Sequence, residues 1–427
     1  MIVGLLFLFF AALVLIEMPI AFALALSAVA CLMLEAQLPL NIVVQRMASG
    51  LDSFPLLAIP LFILAGNIMN HAGLAARIFA FALSLLGHVR GSLAHVNIGA
   101  SLVFAGMSGV AQADAAGLGT VEIRAMRKAG FDPAFSAAVT AASSIIGPII
   151  PPSVIMVIYA VIAQVSVADL FLAGILPGLL MGAFLMLMVW VMAVTGRIHA
   201  PVRPRATLPE VGRSFLAALP SLMAPVVLVT GLLTGAATPT ELGAVTVVYA
   251  MLVGFTQGEL TLRRLHRSVL ETGITAGVLV FIISAAVPFG WIVSINNLPA
   301  QLAATLLALT DNPYLILAIV NLILLVAGLV METTAILLIA VPALLPLANA
   351  LGLDLVQFGV IVVLNLLIGA VTPPFGVILF IMMDIARISF GRMVRAMLPF
   401  YLPLLGALLV VTFWSDFVLF LPRLVGR

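Results

Sequence analysis

The 427 residues are 64% hydrophobic and only 8% charged, with a mean hydropathy of +1.33. A water-soluble domain carries charge on about a quarter of its residues, so this composition excludes a soluble fold and requires a surface that faces lipid. The single cysteine, Cys31, excludes a disulfide framework and a thiolate metal site; it reads as a small apolar helix residue. The net charge of +2 gives no reason to expect nucleic acid as a partner.

Apolar runs approaching or exceeding the ~20 residues of a bilayer span recur along the whole chain. The opening MIVGLLFLFFAALVLI has no basic lead and no small-residue cleavage site, so it reads as a first membrane helix and not as a signal peptide. Helices are expected at about 2–15, 18–33 and 53–70, with an amphipathic piece at 74–88. The next stretch, 92–121, lies between Arg90 and the cluster Arg124, Arg127 and Lys128. Lys and Arg mark cytoplasmic loops, so both ends lie on one side and the segment is expected to be a re-entrant hairpin. Its centre, AGMSGVAQADAAGLG, is small and polar, as backbone buried in protein at membrane depth must be.

A span broken near 148–152 is expected to follow, reaching the periplasm around Ser166 to Asp169, and a helix at 170–196 returns to the Arg-rich loop 197–213. The second half opens with helices near 216–235, 239–256 and 270–292, then a short amphipathic piece at 297–310. Stretch 313–348 has no basic flank, which makes it the mirror case, a hairpin entering from the periplasm. A broken span at 355–386 leads to Arg387, Arg392 and Arg395, and a last helix ends near Leu421. Arg77, Arg197, Arg203, Arg205, Arg213, Arg263, Arg264 and Arg267 also fall on the cytoplasmic side of this path. Arg46, Arg423 and Arg427 depart from it.

Two hairpins entering from opposite sides imply halves of opposite topology, and the sequence carries a trace of them. One ungapped offset of 222 residues matches Gly130 and Asp132 with Gly352 and Asp354. It also matches Ile146-Gly147 with Ile368-Gly369, Pro151-Pro152 with Pro373-Pro374, and Leu176-Pro177 with Leu398-Pro399. The expected architecture is an all-α polytopic membrane protein of two inverted repeats, residues 1–210 and 211–427. Each holds scaffold helices, a hairpin (about 92–121 and 313–348) and a broken helix (about 133–165 and 355–386).

The segments IIGPIIPPSVIMVIYA and LIGAVTPPFGVILFIM carry the strongest local signal. Proline removes a donor and clashes with the preceding turn, so paired prolines unwind a span and free carbonyls near mid-membrane. Freed carbonyls, hydroxyls and half-helix ends suit a dehydrated Na⁺, and a half-helix N-terminus suits a carboxylate. The plainer reading is a kink, which a single proline makes; two prolines per half, in register and beside Ser153 and Thr372, speak against it. Ser108, Gln112 and Asp114 are the polar residues of the first hairpin tip, and Glu332 with Thr333 and Thr334 answers them in the second. An acid in hydrocarbon is costly and usually functional. Asn296-Asn297 reads as a turn or a ligand contact, and Asp384 as the partner of Arg387. No histidine shows metal-ligand spacing, and the absence of GxxxxGK[ST] argues against direct ATP use.

The stretch GMSGVAQADAAGLGTVEIRAMRKAGFDPAFSAAVTAASSIIGPIIPPS, with METTAILLIAVPALLPLA and GAVTPPFGV, resembles the DctM-type large membrane subunit of tripartite ATP-independent periplasmic (TRAP) transporters. The resemblance covers essentially the whole chain. It implies an elevator transporter of the ion-transporter superfamily, in which outer helices hold a mobile unit of two hairpins and two broken helices. It also implies two partners, a small four-helix membrane subunit of the DctQ type and a periplasmic substrate-binding protein of the DctP type. Substrates of the family are small organic anions, mostly carboxylates, taken up across the bacterial inner membrane with Na⁺ as the coupling ion. By the family pattern Ser108 and Ser153 fall at the shared ion and substrate site, and Glu332 at a position usually acidic. Some sugar-acid members have an arginine near the end of the third span of the second half. This sequence has none from Trp291 to Asn297, which argues against a sialic-acid-like substrate. The small subunit is not expected to be fused to this chain.

The expected function is therefore secondary active anion uptake by Na⁺ symport. Na⁺ is expected at Ser108, Gly147, Pro151 and Ser153, and at Thr334, Gly369 and Thr372; the anion is expected near Ser108, Ser153, Glu332 and Asn296. No cofactor or transition metal is called for. A proton-coupled anion transporter of the same superfamily, working without a binding protein, is the alternative that Asp114 and Glu332 keep open. An intramembrane enzyme would need paired catalytic groups that the sequence lacks, and a passive channel would not need two opposed hairpins.

Overall fold

The computed structural model describes residues 2–35, 39–198 and 204–426, and the side chains of Glu35, Ala75 and Ser108 are not among those described. Arg203 and Arg427 of the basic pattern, and the hydroxyl of Ser108, thus lie outside the described structure. Helices account for all the regular structure among the described residues. Seven of them are long and apolar enough to cross a membrane.

In chain order the first half comprises α1 (Ile2–Leu15), α2 (Ile20–Glu35), α3 (Asn41–Ser49), α4 (Ala58–His71) and α5 (Leu74–Leu86). The first hairpin follows as α6 (Ser92–Ser108), α7 (Ala111–Ala116) and α8 (Leu118–Lys128). The broken helix is α9 (Pro133–Ser144) and α10 (Val154–Ala163), and α11 (Val167–Val194) closes the half. The second half runs through α12 (Leu208–Thr234), α13 (Pro239–Thr256), α14 (Leu262–Ile295) and α15 (Leu298–Leu309). Its hairpin is α16 (Pro313–Gly328) and α17 (Thr333–Ala350), and its broken helix is α18 (Leu355–Ala370) and α19 (Val377–Ala386). The chain ends in α20 (Phe390–Phe413) and two short turns, α21 (Ser415–Val418) and α22 (Phe420–Leu424).

The expected path is largely reproduced, with three differences. The second arm of the first hairpin runs to Lys128, beyond the expected 121, and is split at Gly117. A Cβ at Gly117 would stand 2.6 Å from the Asn70 side chain, so close packing on α4 sets the split. Helix α3 was not anticipated. Its Arg46, which departs from the charge pattern, lies 5.0 Å above the ring of Trp291, a cation–π contact that accounts for a charge at this position. Asp384 makes no ion pair with Arg387 among the described residues. Arg387 adopts a left-handed conformation (φ 53°) at the end of α19, which turns it off the helix face that i,i+3 neighbours share.

Both broken helices begin and break alike. Gly130 (φ 91°) and Gly352 (φ 66°) turn the chain, and an aspartate then caps the first turn beyond. Asp132 Oδ2 accepts from the N–H of Ala134 (2.8 Å) and Phe135 (2.9 Å); Asp354 Oδ1 accepts from Val356 (2.8 Å) and Gln357 (3.3 Å). Each helix breaks at its cis Pro-Pro pair, 151–152 or 373–374. The two breaks lie side by side and antiparallel, because α9 packs on α19 while α10 packs on α18. Matching parts that run in opposite directions are what an in-plane two-fold axis produces, so the repeats are inverted.

Residues from Ala134 to Ser144 of α9, and from Gln357 to Ala370 of α18, are all buried. The first arm of each hairpin is bound to its broken helix by buried polar side chains. Asn97 Nδ2 donates to Thr140 Oγ1 (2.6 Å) and Ser143 Oγ to Asn97 Oδ1 (2.8 Å). In the second half Asn365 Nδ2 donates to Asn321 Oδ1 (2.9 Å), and Asn321 Nδ2 to Thr412 Oγ1 (2.9 Å). Asn321→Leu removes one buried bond from each of Asn365 and Thr412, which keep their bonds to the Asn321 and Leu408 carbonyls, so it is expected to cost about 1–2 kcal/mol. A thermal unfolding midpoint in detergent, measured beside the exposed-site control Asn349→Leu, checks this; equal midpoints would exclude the network as a stabilising element.

Candidate functional site

Each hairpin tip is seated on the break of its own half, and glycine makes the approach possible. At the first tip Gly109 (φ 64°) faces the Pro152 carbonyl with no room for a Cβ, and its own carbonyl accepts from Val154 N–H at 3.3 Å. At the second tip Gly328 and Gly369 touch backbone to backbone; a Cβ on Gly328 would sit 2.9 Å from the Gly369 Cα. A tip docked at the break of a crossing helix has gone only part of the way through the molecule. This is the geometry of a re-entrant hairpin, and it holds even though α17 alone is long enough to span.

The breaks gather hydroxyls and backbone carbonyls. Ser153 is fully buried; its hydroxyl donates to the Pro148 carbonyl (2.5 Å) and accepts from Met156 N–H (3.2 Å), capping α10. Thr372 Oγ1 donates to the Ile368 carbonyl (2.6 Å), and Tyr401 donates to the Val371 carbonyl (2.8 Å). Gly147 lies within the first break, where a Cβ would collide with a carboxylate oxygen of Asp114. Gly147, Pro151 and Ser153 are thus brought together, with Asp114 beside them; Gly369 and Thr372 stand together at the second break.

Between the tips lies a cavity of about 350 Å³. Gly109, Val110 and Gln112 of the first tip, Val154 and Ile155 of α10, Glu332 and Thr334 of the second tip, and Thr275 of α14 line it. The N-termini of α10 and α17 both open near it; the α17 end is already capped by a carboxylate, so the positive dipole end of α10 is the one that favours an anion. Glu332 is engaged at both oxygens: Oε2 accepts from Thr334 N–H (2.9 Å) and Ala335 N–H (3.2 Å), and Oε1 accepts from Thr334 Oγ1 (3.0 Å). It therefore serves first as the cap of α17, and the sequence expectation of a direct substrate contact does not follow from this arrangement. Thr334 is brought to the cavity; its hydroxyl is occupied by Glu332.

Asn296 is not brought to the cavity. It caps the end of α14 through its amide donating to the Ile292 carbonyl (2.9 Å). It follows Leu279, a cavity residue, by seventeen positions, which is about 25 Å of helix. Asn297 adopts a left-handed conformation (φ 55°), in keeping with the turn reading. Two residues escaped the sequence reading. Thr275 is one hydroxyl in an apolar span, and nothing local marks it. Glu122, on the second arm of the first hairpin, is 1% exposed and close enough to Asp114 for their charges to interact. It stands just before the basic cluster Arg124, Arg127 and Lys128, and nothing local marks it as buried. No group of three His, Cys, Asp or Glu suited to a metal occurs among the described residues.

Residues 7–417 match the family model described as "Tripartite ATP-independent periplasmic transporter, DctM component". The chain is 43% identical over 408 residues to the sialic acid TRAP transporter large permease protein SiaM of Vibrio cholerae, covering 95% of each. It is 36% identical to the 2,3-diketo-L-gulonate TRAP transporter large permease protein YiaN of Escherichia coli, covering 95% of each. The C4-dicarboxylate TRAP transporter large permease protein DctM of Pseudomonas aeruginosa is 37% identical, with 88% of each covered. Among solved structures, the YdaH transporter of Alcanivorax borkumensis shares the fold at a TM-score of 0.64 and 15% identity, over 88% of this chain and 89% of that one.

The tip contacts can be tested chemically. With Cys31 replaced by serine, Val110→Cys with Ile155→Cys is expected to be bridged by a short bifunctional thiol reagent, since both residues line the cavity. Adding Gly109→Val is expected to lower the yield by lifting the tip off Pro152. Bridging unaffected by Gly109→Val would show that the tip does not depend on that contact.

Proposed function

For a chain that belongs to the DctM family of TRAP transporters, and is thus a multi-pass membrane permease and not an enzyme, we propose Na⁺-coupled uptake of a small organic carboxylate. The observation that carries this reading is the pairing of each hairpin tip with a helix break around one shared cavity. The family is tripartite. The partners proposed here are a small DctQ-type membrane subunit and a DctP-type periplasmic binding protein that delivers the substrate at the inner membrane.

The carboxylate would occupy the cavity between the tips, held by the α10 N-terminus, Gln112 and Thr275. Na⁺ would take the carbonyls and hydroxyls at the breaks. Ser153, Gly147 and Pro151 would contribute at the first, with the Asp114 carboxylate supplying charge, and Gly369 and Thr372 at the second. Glu332, tied into its cap, would favour a cation at the second tip. Relatives are named for sialic acid, a diketo-gulonate and C4-dicarboxylates; the chemistry they share is a carboxylate, so the class is proposed at that level. The Vibrio cholerae relative's name favours the sugar acid that the absence of an arginine from Trp291 to Asn297 argues against.

The α4–α14 pair and the hairpin unit are each bonded internally, and this supports an elevator motion. Asn67–Thr272 (3.0 Å) and Ser84–Ser214 (2.8 Å) join outer helices to one another. Buried Asp114 and Glu122 favour a second reading, in which a proton couples transport.

Uptake into liposomes holding this chain, a small subunit and a cognate binding protein is expected to respond to an inward Na⁺ gradient. Ser153→Ala and Thr372→Ala are each expected to lower the rate about tenfold or more, equivalent to losing about 1.4 kcal/mol of ion or transition-state binding. Uptake that follows a proton gradient and ignores Na⁺ would replace this reading with the second.

A further inference from the structure

The helices after α10 and α19, α11 and α20, pack against each other. They run antiparallel, with Phe184 near Gly406 and Arg197 near Arg395, and their outer seam is open. Phe184, Leu187 and Met188 of α11 face Leu402, Pro403 and Gly406 of α20 around an apolar cleft of about 410 Å³. Leu187 and Leu402 are 57% and 71% exposed, so on this chain alone the cleft is not covered. Towards the C-terminal end of α11 the same seam widens into a second recess of about 440 Å³, where its lining becomes basic with Arg197 and Arg395. Gly406 and Arg395 are eleven residues apart on α20, about 16 Å of helix.

The charge at this mouth is unbalanced. Asp132 also lines it, but its Oδ2 caps α9 and its Oδ1 accepts from Arg392 at 2.9 Å. Arg197 and Arg395 make no ion pair among the described residues. Trp190, seven residues before Arg197, is 47% exposed, and an exposed tryptophan near a span's end marks the level of the lipid headgroups. The mouth thus lies at the membrane surface, and the cleft extends from it into the hydrocarbon layer.

We propose that this seam binds one anionic phospholipid, with its phosphate between Arg197 and Arg395 and an acyl chain along Phe184, Leu187 and Leu402. The ligand must be apolar over about 16 Å and anionic at one end. An anionic lipid meets both demands and is already concentrated where the mouth opens, and arginine's planar fork suits its phosphate. The lipid would ride on the unit that carries the breaks, because α11 and α20 follow α10 and α19 after short turns and pack on α18. This holds whichever ion drives transport.

The test is the thermal midpoint of the purified full-length chain in detergent, titrated with phosphatidylglycerol or phosphatidylcholine, together with native mass spectrometry. Phosphatidylglycerol is expected to raise the midpoint and to remain bound as a single copy. R197A/R395A is expected to weaken that effect roughly thirtyfold, given the attraction of two surface arginines. G406L, whose added side chain enters the cleft from a position where a Cβ meets the Phe184 ring at 3.4 Å, is expected to release the lipid with both arginines intact. Equal effects of the two lipids, or no change in either variant, would overturn the proposal. So would crosslinking of residue 187 or 402 to the small subunit in the assembled complex, which would make the cleft a protein interface.

Discussion

Backbone that leaves a helix inside a membrane must be covered by protein, because lipid offers its carbonyls and amides no partners. The rest of this structure depends on that constraint. Two Pro-Pro pairs break two crossing helices, and each break is covered by the tip of a hairpin. The cover has to be close, which is why Gly109 meets the Pro152 carbonyl and Gly328 meets Gly369 with no space for a side chain. Once a tip is committed to a break its arms must be anchored too, and Asn97, Thr140 and Ser143 on one side, with Asn321, Asn365 and Thr412 on the other, do so from within.

The two copies solve the same problem with different side chains. Gly147 and Gly369 correspond in sequence, yet Gly147 admits the Asp114 carboxylate while Gly369 admits the backbone of its own half's tip at Gly328. The anchoring position is serine at 143 and asparagine at 365. The acids differ as well. Glu332 is held in the cap of its own helix, whereas Asp114 reaches across to the break. A site assembled from two such halves is symmetric in backbone and asymmetric in charge, as it must be if ion and anion are to be bound at distinct places.

Much of this was legible in the sequence, because the elements that define the fold are also the ones that leave marks. Proline pairs, aspartates in register and the presence or absence of flanking arginines are local signals, and they located both hairpins, both breaks and the 222-residue offset. What escaped depended on tertiary contact. The split at Gly117 answers to Asn70 on another helix, and Arg46 is satisfied by Trp291 from the other half. Glu122 sits in a helix whose basic end suggests a solvated surface, and only packing buries it. Asn296 misled for the opposite reason. A polar pair at a helix end signals equally a turn and a ligand, and distance along α14 decides for the turn.

The placement of polar bonds bears on how the site could be opened. Within the outer helices the bonds are specific: Asn67 to Thr272, His71 to Ser268 (2.8 Å), Tyr249 to the Pro220 carbonyl (2.7 Å). Within the hairpin unit Tyr159 reaches the Leu355 carbonyl (2.7 Å) and Gln357 reaches that of Val411 (3.1 Å). Where the unit meets the outer helices the contact is of another kind, as when Gly106 of the first hairpin lies flat on Pro225 of α12. A boundary of glycine against proline has no directional bond to break when one side slides on the other. The cavity spans this boundary, with Thr275 on the outer side and Gln112 and Glu332 on the inner. Any sliding of the unit therefore removes one wall from the site, and displacement and opening become a single event.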